Sequence, residues 1–186
     1  LLTLLTVIGC AKAGIWQYNR GVIRHDANAQ VKSNIALAPI SETEFNELTK
    51  KPSTLPTNQW RSVTVTGSFI PEHELLLRNR YENGKYGFGV ITLFTAVGGE
   101  TFWVDRGWIQ AGKDAKTPPK SEATGITQVT ITARLRTNDL NNRIRGSFFA
   151  IPNDGNSELQ NWDKSQSVKT SNFSLDLLKA SDQRLT

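Results

Sequence analysis

Methionine is absent from the 186 residues, cysteine occurs once and histidine twice. A single cysteine, Cys10, excludes an internal disulfide and any zinc site built from several thiolates. His25 and His73 stand in neither an HExxH nor a Cys-x-x-Cys context, so no metal centre is expected. No Gly-x-Ser-x-Gly elbow occurs, which leaves nucleophilic hydrolysis without its usual frame. Gly84-Lys-Tyr-Gly-Phe-Gly89 is rich in glycine but lacks the preceding strand and following helix of a nucleotide loop; a turn with close backbone packing is its expected role. With no catalytic constellation, the chain is not expected to be an enzyme.

Charge of one sign is also never concentrated. The net charge is +5, yet no run of four basic residues occurs, so charge alone argues weakly for nucleic acid or anionic lipid. Tyr86 and Phe88 beside Arg78, Arg80 and Lys85 imitate a base-stacking platform. In a hairpin such residues pack, and nucleic acid is not an expected partner.

Long hydrophobic runs are missing too. The one uncharged apolar stretch is Leu1 to Ala11, and eleven helical residues span only about 16 Å, roughly half a bilayer core. We read residues 1–13 as the end of an N-terminal transmembrane helix. Val7-Ile8-Gly9-Cys10 also passes as a lipobox, which makes an acylated lipoprotein with a ligand-binding β-barrel the alternative. Residues 14–31 suit a juxtamembrane helix in which Trp16, Arg20 and Arg24 share one face, an arrangement that anchors at lipid headgroups. Gly14 and Gly21 allow it to bend.

Residues 32–186 form the folded domain. Ser41-Glu-Thr-Glu44 is a capping box opening a short helix to about Leu48. Five strands follow from period-two alternation: Trp60–Phe69, Glu74–Arg80, Gly87–Phe94, Thr101–Ile109 and Thr127–Arg136, the third and fourth joined at Gly98-Gly99. Val63, Val65, Val90, Ile91, Val104, Val129 and Ile131 are the expected core, with Val90 and Ile91 on opposite faces of a sheet buried twice. Beyond Thr137 the sequence is polar and irregular, with a short helix expected over Ser174–Ala180. The fold class is mainly β (α+β): an antiparallel, curled or barrel-like sheet with short helices.

The most distinctive stretch is Phe102-Trp-Val-Asp-Arg-Gly-Trp-Ile109. Gly107 follows a strand and precedes a bulky ring, which allows a bulge or sharp bend and suggests a positive φ or a close backbone contact. Trp108 is expected to bury most of its area. Asp105 and Arg106 read as a pair bracing the strand end at the surface, where loss of the arginine costs under about 1 kcal/mol.

Together, Gly14-Ile-Trp-Gln17 with Arg20, the Val-x-Val-x-Gly-x-Phe core of Trp60–Phe69, Leu75-Leu-Leu-Arg-Asn-Arg80, Gly87–Leu93 and Val104-Asp-Arg-Gly-Trp-Ile109 resemble the Surf1 (Shy1) family in order and spacing. Arg134-Leu-Arg136 continues the match. The resemblance implies a membrane-bound assembly factor for haem-copper aa3-type cytochrome c oxidase, with two membrane helices bracketing an extracytoplasmic domain at the bacterial plasma membrane. It implies oxidase subunits, subunit I foremost, and membrane lipid as partners. Haem a is a further possible ligand, although the segment bearing its iron ligand is expected beyond Thr186. Trp16, Gln17, Arg20, Arg24, Arg78, Arg80, Asp105, Arg106 and Trp108 are the candidate interface residues.

Overall fold

The computed structural model describes residues 2–117, 119, 121, 124–137, 149–152, 158–161, 170–171 and 173–178. It opens with α1 (Leu2–Ala36), an unbroken helix of 35 residues and therefore about 52 Å long. The two segments expected on either side of residue 13 are one helix, continuous through Gly14 and Gly21. Nearly all of α1 is exposed, including Leu4, Leu5, Val7, Ile8, Ile15 and Trp16. Among the described residues no helix is long and apolar enough to cross a membrane. Cys10 is a free, exposed thiol on this helix.

Helix α2 (Glu42–Thr49) begins as its capping box dictates, with the Ser41 hydroxyl accepting from the Glu44 N–H. Its Phe45 is fully buried. Two 3-10 turns, Pro52–Thr54 and Pro56–Asn58, lead to the sheet.

Among the described residues seven strands form that sheet: β1 (Ser62–Glu82), β2 (Lys85–Ala96), β3 (Thr101–Gln110), β4 (Val129–Thr137), β5 (Phe149–Ile151), β6 (Gln160–Asn161) and β7 (Phe173–Leu177). The first two expected strands are one long strand interrupted by register shifts between Ile70 and Glu74 and between Leu77 and Arg80. Trp60 lies outside it, in a left-handed conformation (φ 70). The β2–β3 hairpin turns at Gly98-Gly99 as expected, Gly99 having φ 89.

The region beyond Thr137 departs from expectation. Phe173–Leu177 is a strand where a helix was expected, and β5 and β6 lie in a region read as irregular. Strand β7 slots between β3, to which it is parallel, and β4, to which it is antiparallel. The sheet is thus mixed. Because β1 also pairs with β2 and with β4, hydrogen bonding runs in a closed circuit through β1, β2, β3, β7 and β4. Such closure curls the sheet and leaves those strands few free edges.

The core divides along this curl. One cluster gathers Val63, Val65, Phe94, Phe102, Val104, Ile131 and Phe173 around Phe45 of α2. A second holds Leu76, Phe88 and Val90; a third, on the other side of the sheet, holds Leu75, Ile91, Leu93 and Trp103. Val90 and Ile91 thus serve different clusters, as expected for a strand buried on both faces. Of the seven expected core residues only Val129 is partly exposed.

Candidate functional site

The β2–β3 pairing changes register at the distinctive stretch of β3. Ile91 faces Asp105 and Val90 faces Gly107, so Arg106 is the extra residue of a β-bulge. Gly107 has φ 104, a conformation that L side chains rarely adopt. The Asp105 carboxylate holds the bulge by accepting from the Gly107 N–H at 2.9 Å. Neighbouring strand residues point to opposite faces, so Asp105 and Arg106 lead to different surroundings.

Arg106 turns toward β1. Its Nη1 donates to Glu74 Oε2 at 3.0 Å, and the two side chains are only 14% and 12% exposed. Thr92 Oγ1 donates to the same carboxylate oxygen at 3.3 Å, and Ser121 Oγ donates to Glu74 Oε1 at 2.7 Å. The guanidinium also lies 5.7 Å from the Phe69 ring centroid, within cation–π reach. Thr92 sits between Val90 and Phe94 on one face of β2, so this polar group separates two apolar clusters. The expected surface brace is therefore corrected: the described ion-pair partner of Arg106 is Glu74, in a mostly buried network.

On the other side the bulge shapes an open cleft of about 340 Å³ lined by Arg80, Tyr81, Glu82, Gly89, Asp105, Gly107, Trp108 and Asp176. Trp108 forms one wall, half-buried, its indole Nε1 donating to the Arg80 carbonyl at 3.3 Å. Gly87 makes room for this ring: a Cβ there would fall on the indole and on the Ile109 carbonyl. Gly89 differs, since a Cβ would meet nothing closer than Leu77 Cβ at 3.5 Å, and it has no positive φ. Packing does not require a glycine there. Gly89→Ala should therefore fold with stability within about 0.5 kcal/mol of the parent while narrowing the cleft. Chemical denaturation checks the first half, and complementation of a deletion strain tests whether the cleft is used.

Of the expected candidates, the structure brings Arg80, Asp105 and Trp108 together at the cleft. Arg78 is half-buried and donates to the Leu159 carbonyl at 3.4 Å. Trp16, Gln17, Arg20 and Arg24 are exposed along α1, with the Arg20 guanidinium 5.3 Å from the Trp16 ring centroid. Phe88 is fully buried with the half-buried Tyr86 packed edge-on to it, while Arg80 and Lys85 are exposed. Sequence reasoning missed Glu74, Asp176 and Tyr81. Their signal is pairing: Asp176 lies opposite Asp105 across a parallel ladder that only the fold reveals.

Among the described residues no group of His, Cys, Asp and Glu is placed to hold a metal ion. The cleft lining contains no histidine, cysteine or methionine, and His25 is 84% exposed beside Asp26 on α1. Of the described cleft lining only Tyr81 is of a type that ligates haem iron.

The architecture defines a class: a curled, mainly β domain carrying a long exposed helix at one end and a cleft on its flank. The chain belongs to the SURF1 family, whose model matches residues 4–183. It is similar to uncharacterized SURF1-like proteins of Mycobacterium bovis and Mycobacterium tuberculosis, 33% identical over 121 residues, which is 65% of this chain and 44% of each relative. A SURF1-like protein of Rickettsia felis is 25% identical over 153 residues, 77% of this chain and 64% of that protein. The alignment thus spans less than half the length of the mycobacterial relatives. The family is known in general for membrane-associated cytochrome oxidase assembly factors and is not an enzyme class.

Proposed function

We propose that this chain is the working domain of an assembly factor for a haem-copper, aa3-type cytochrome c oxidase. It attaches to the bacterial plasma membrane through α1, and the β domain meets oxidase subunits, subunit I first, on the extracytoplasmic side. The observation that carries this reading is the family match over residues 4–183 on a chain whose leading helix presents Leu4, Leu5, Val7, Ile8 and Trp16 to the outside. Apolar side chains at these positions gain by entering lipid, with Trp16 and Arg20 at headgroup level. The action proposed here is protein–protein: holding a subunit in a state that its partners can join.

Deleting the gene should lower assembled aa3-type oxidase, read as the haem a band of membranes and as the complex on native gels. Restoring the gene should bring both back. Unchanged oxidase in the deletion strain rules the reading out. Topology is checked separately with a reporter inserted after Lys113, which should be active only as a periplasmic-type enzyme; activity as a cytoplasmic one overturns the assigned side.

Acylation at Cys10 is the second reading, favoured by the exposure of this thiol on α1. The intact mass of the membrane-extracted protein separates the two, since acylation as a lipoprotein removes every residue before Cys10.

A further inference from the structure

Helix α1 meets the β domain through little more than its last two turns. Every residue from Thr3 to Gln30 is exposed, and only Val31, Asn34 and Ile35 lose exposure, a spacing that marks one face. The central one is polar: Asn34 is 7% exposed. Its Nδ2 donates to the Thr57 carbonyl at 2.8 Å and to the Gln59 carbonyl at 2.9 Å. Gln30 adds a longer contact, from Nε2 to the same Thr57 carbonyl at 3.2 Å.

Both acceptors belong to the segment that turns the chain from the second 3-10 helix into the sheet. The next residue, Trp60, has φ 70, sparsely populated for a bulky side chain and tolerated only where the surroundings dictate it. Strand β4 supplies those surroundings. The Trp60 N–H donates to the Leu135 carbonyl at 2.7 Å, its carbonyl accepts from Arg134 Nη1 at 3.2 Å, and Arg136 lies 4.1 Å over its ring. The carbonyls that Asn34 grips are therefore fixed to the sheet.

The covalent connection is short. Residues 37–39 separate α1 from Ile40, whose N–H donates to the Ser62 carbonyl at 2.7 Å beside β1. Arg61 Nη2 donates to the Ala38 carbonyl at 3.2 Å and holds this link at its middle. Pro39 fixes its own φ and restricts Ala38, but Leu37 and the remaining ψ angles still leave the helix direction open. Direction is set where both hydrogens of one carboxamide are used on two carbonyls.

We infer that Asn34 is a positioning residue: its carboxamide clamps α1 in one direction relative to the β domain, so that the helix and the flank cleft move as one body. Aspartate has nearly the same shape but offers only acceptors when ionised, and would face two carbonyl oxygens. The structural half of this inference stands independently. Its consequence for oxidase assembly rests on the function proposed above.

The test places spin labels at Tyr18→Cys on α1 and Val97→Cys at the β2–β3 turn, in a Cys10→Ser background of the whole chain in detergent. Both sites are exposed, at 72% and 64%. The parent should give one narrow distance distribution, and Asn34→Asp should widen it at least about twofold with unchanged near-ultraviolet circular dichroism. Asn34→Ala, which removes the donors without adding charge, should do the same and serves if the aspartate variant does not fold. A parent distribution already broad, or a folded variant as narrow as the parent, overturns the clamp. In cells with normal protein abundance, Asn34→Asp should lower oxidase several-fold. Normal oxidase alongside a widened distribution rejects the functional half and keeps the clamp, whereas a deletion strain with normal oxidase rejects the proposed function itself.

Discussion

Replacing Arg106 with alanine is expected to destabilise the domain by about 3 kcal/mol, a large part of the roughly 5–15 kcal/mol typical of a domain. The cost comes from what remains. Glu74, 12% exposed, would be left with Ser121 and Thr92 as donors and no cation among its described partners. Protein abundance should fall and oxidase with it, unlike the outcome expected of a surface brace. Arg106→Lys should cost about 1 kcal/mol: it keeps a charge for Glu74 but loses the planar group over Phe69. The double variant Glu74→Leu, Arg106→Leu is the sharper measurement, since removing both charges together is often near neutral. Urea denaturation of the parent, Arg106→Leu, Glu74→Leu and the double variant gives the coupling. A single Arg106→Ala variant within about 0.5 kcal/mol of the parent would show that the pair contributes nothing.

Phe102→Ala is expected to cost about 3–5 kcal/mol, from lost burial plus the cavity left behind. Phe102 is fully buried, and its ring centroid lies 5.9 Å from that of Phe45, 5.6 Å from Phe94 and 5.0 Å from Phe173. Those neighbours sit on α2, β2 and β7, so one ring braces three elements reached from distant parts of the chain. Phe102→Leu, which keeps much of the volume, should cost under about 1.5 kcal/mol. Denaturation midpoints rank the pair, and hydrogen exchange should show β7 and α2 losing protection first in the alanine variant. Protection lost evenly throughout would place the weakness elsewhere.

Local grammar made much of this domain readable. Alternation located β2, β3 and β4, the capping box located α2, and Gly107 marked a special backbone position, of which the positive φ is the form it takes. What failed was whatever depends on a partner far along the chain. Phe173–Leu177 carries leucines that also suit a helix, and its strand state is imposed by β3 and β4 on either side. The pairing of Arg106 was missed in another way. Reading outward from Asp105, adjacent opposite charges look like a brace, but alternation turns the guanidinium to the other face, where Glu74, 32 positions earlier, meets it. The cleft was half legible: Arg80, Asp105 and Trp108 were named from sequence, while Asp176 joins them only through a parallel ladder. The candidates on α1 were legible as a group because helical spacing alone places them together.

The position of β7 also sets a schedule. The strands on either side of it, β3 and β4, are made first and end at Gln110 and Thr137, whereas the strand joining them ends at Leu177. Until that last segment has left the ribosome, the circuit cannot close, and two edges stand unpaired on a nascent chain. Pairing of this kind, delayed and remote in sequence, is slow and exposes the chain to aggregation. Closure of this circuit therefore waits for Phe173–Leu177. A chain interrupted before Phe173 should accumulate as an open, self-adhesive sheet rather than as a smaller working domain.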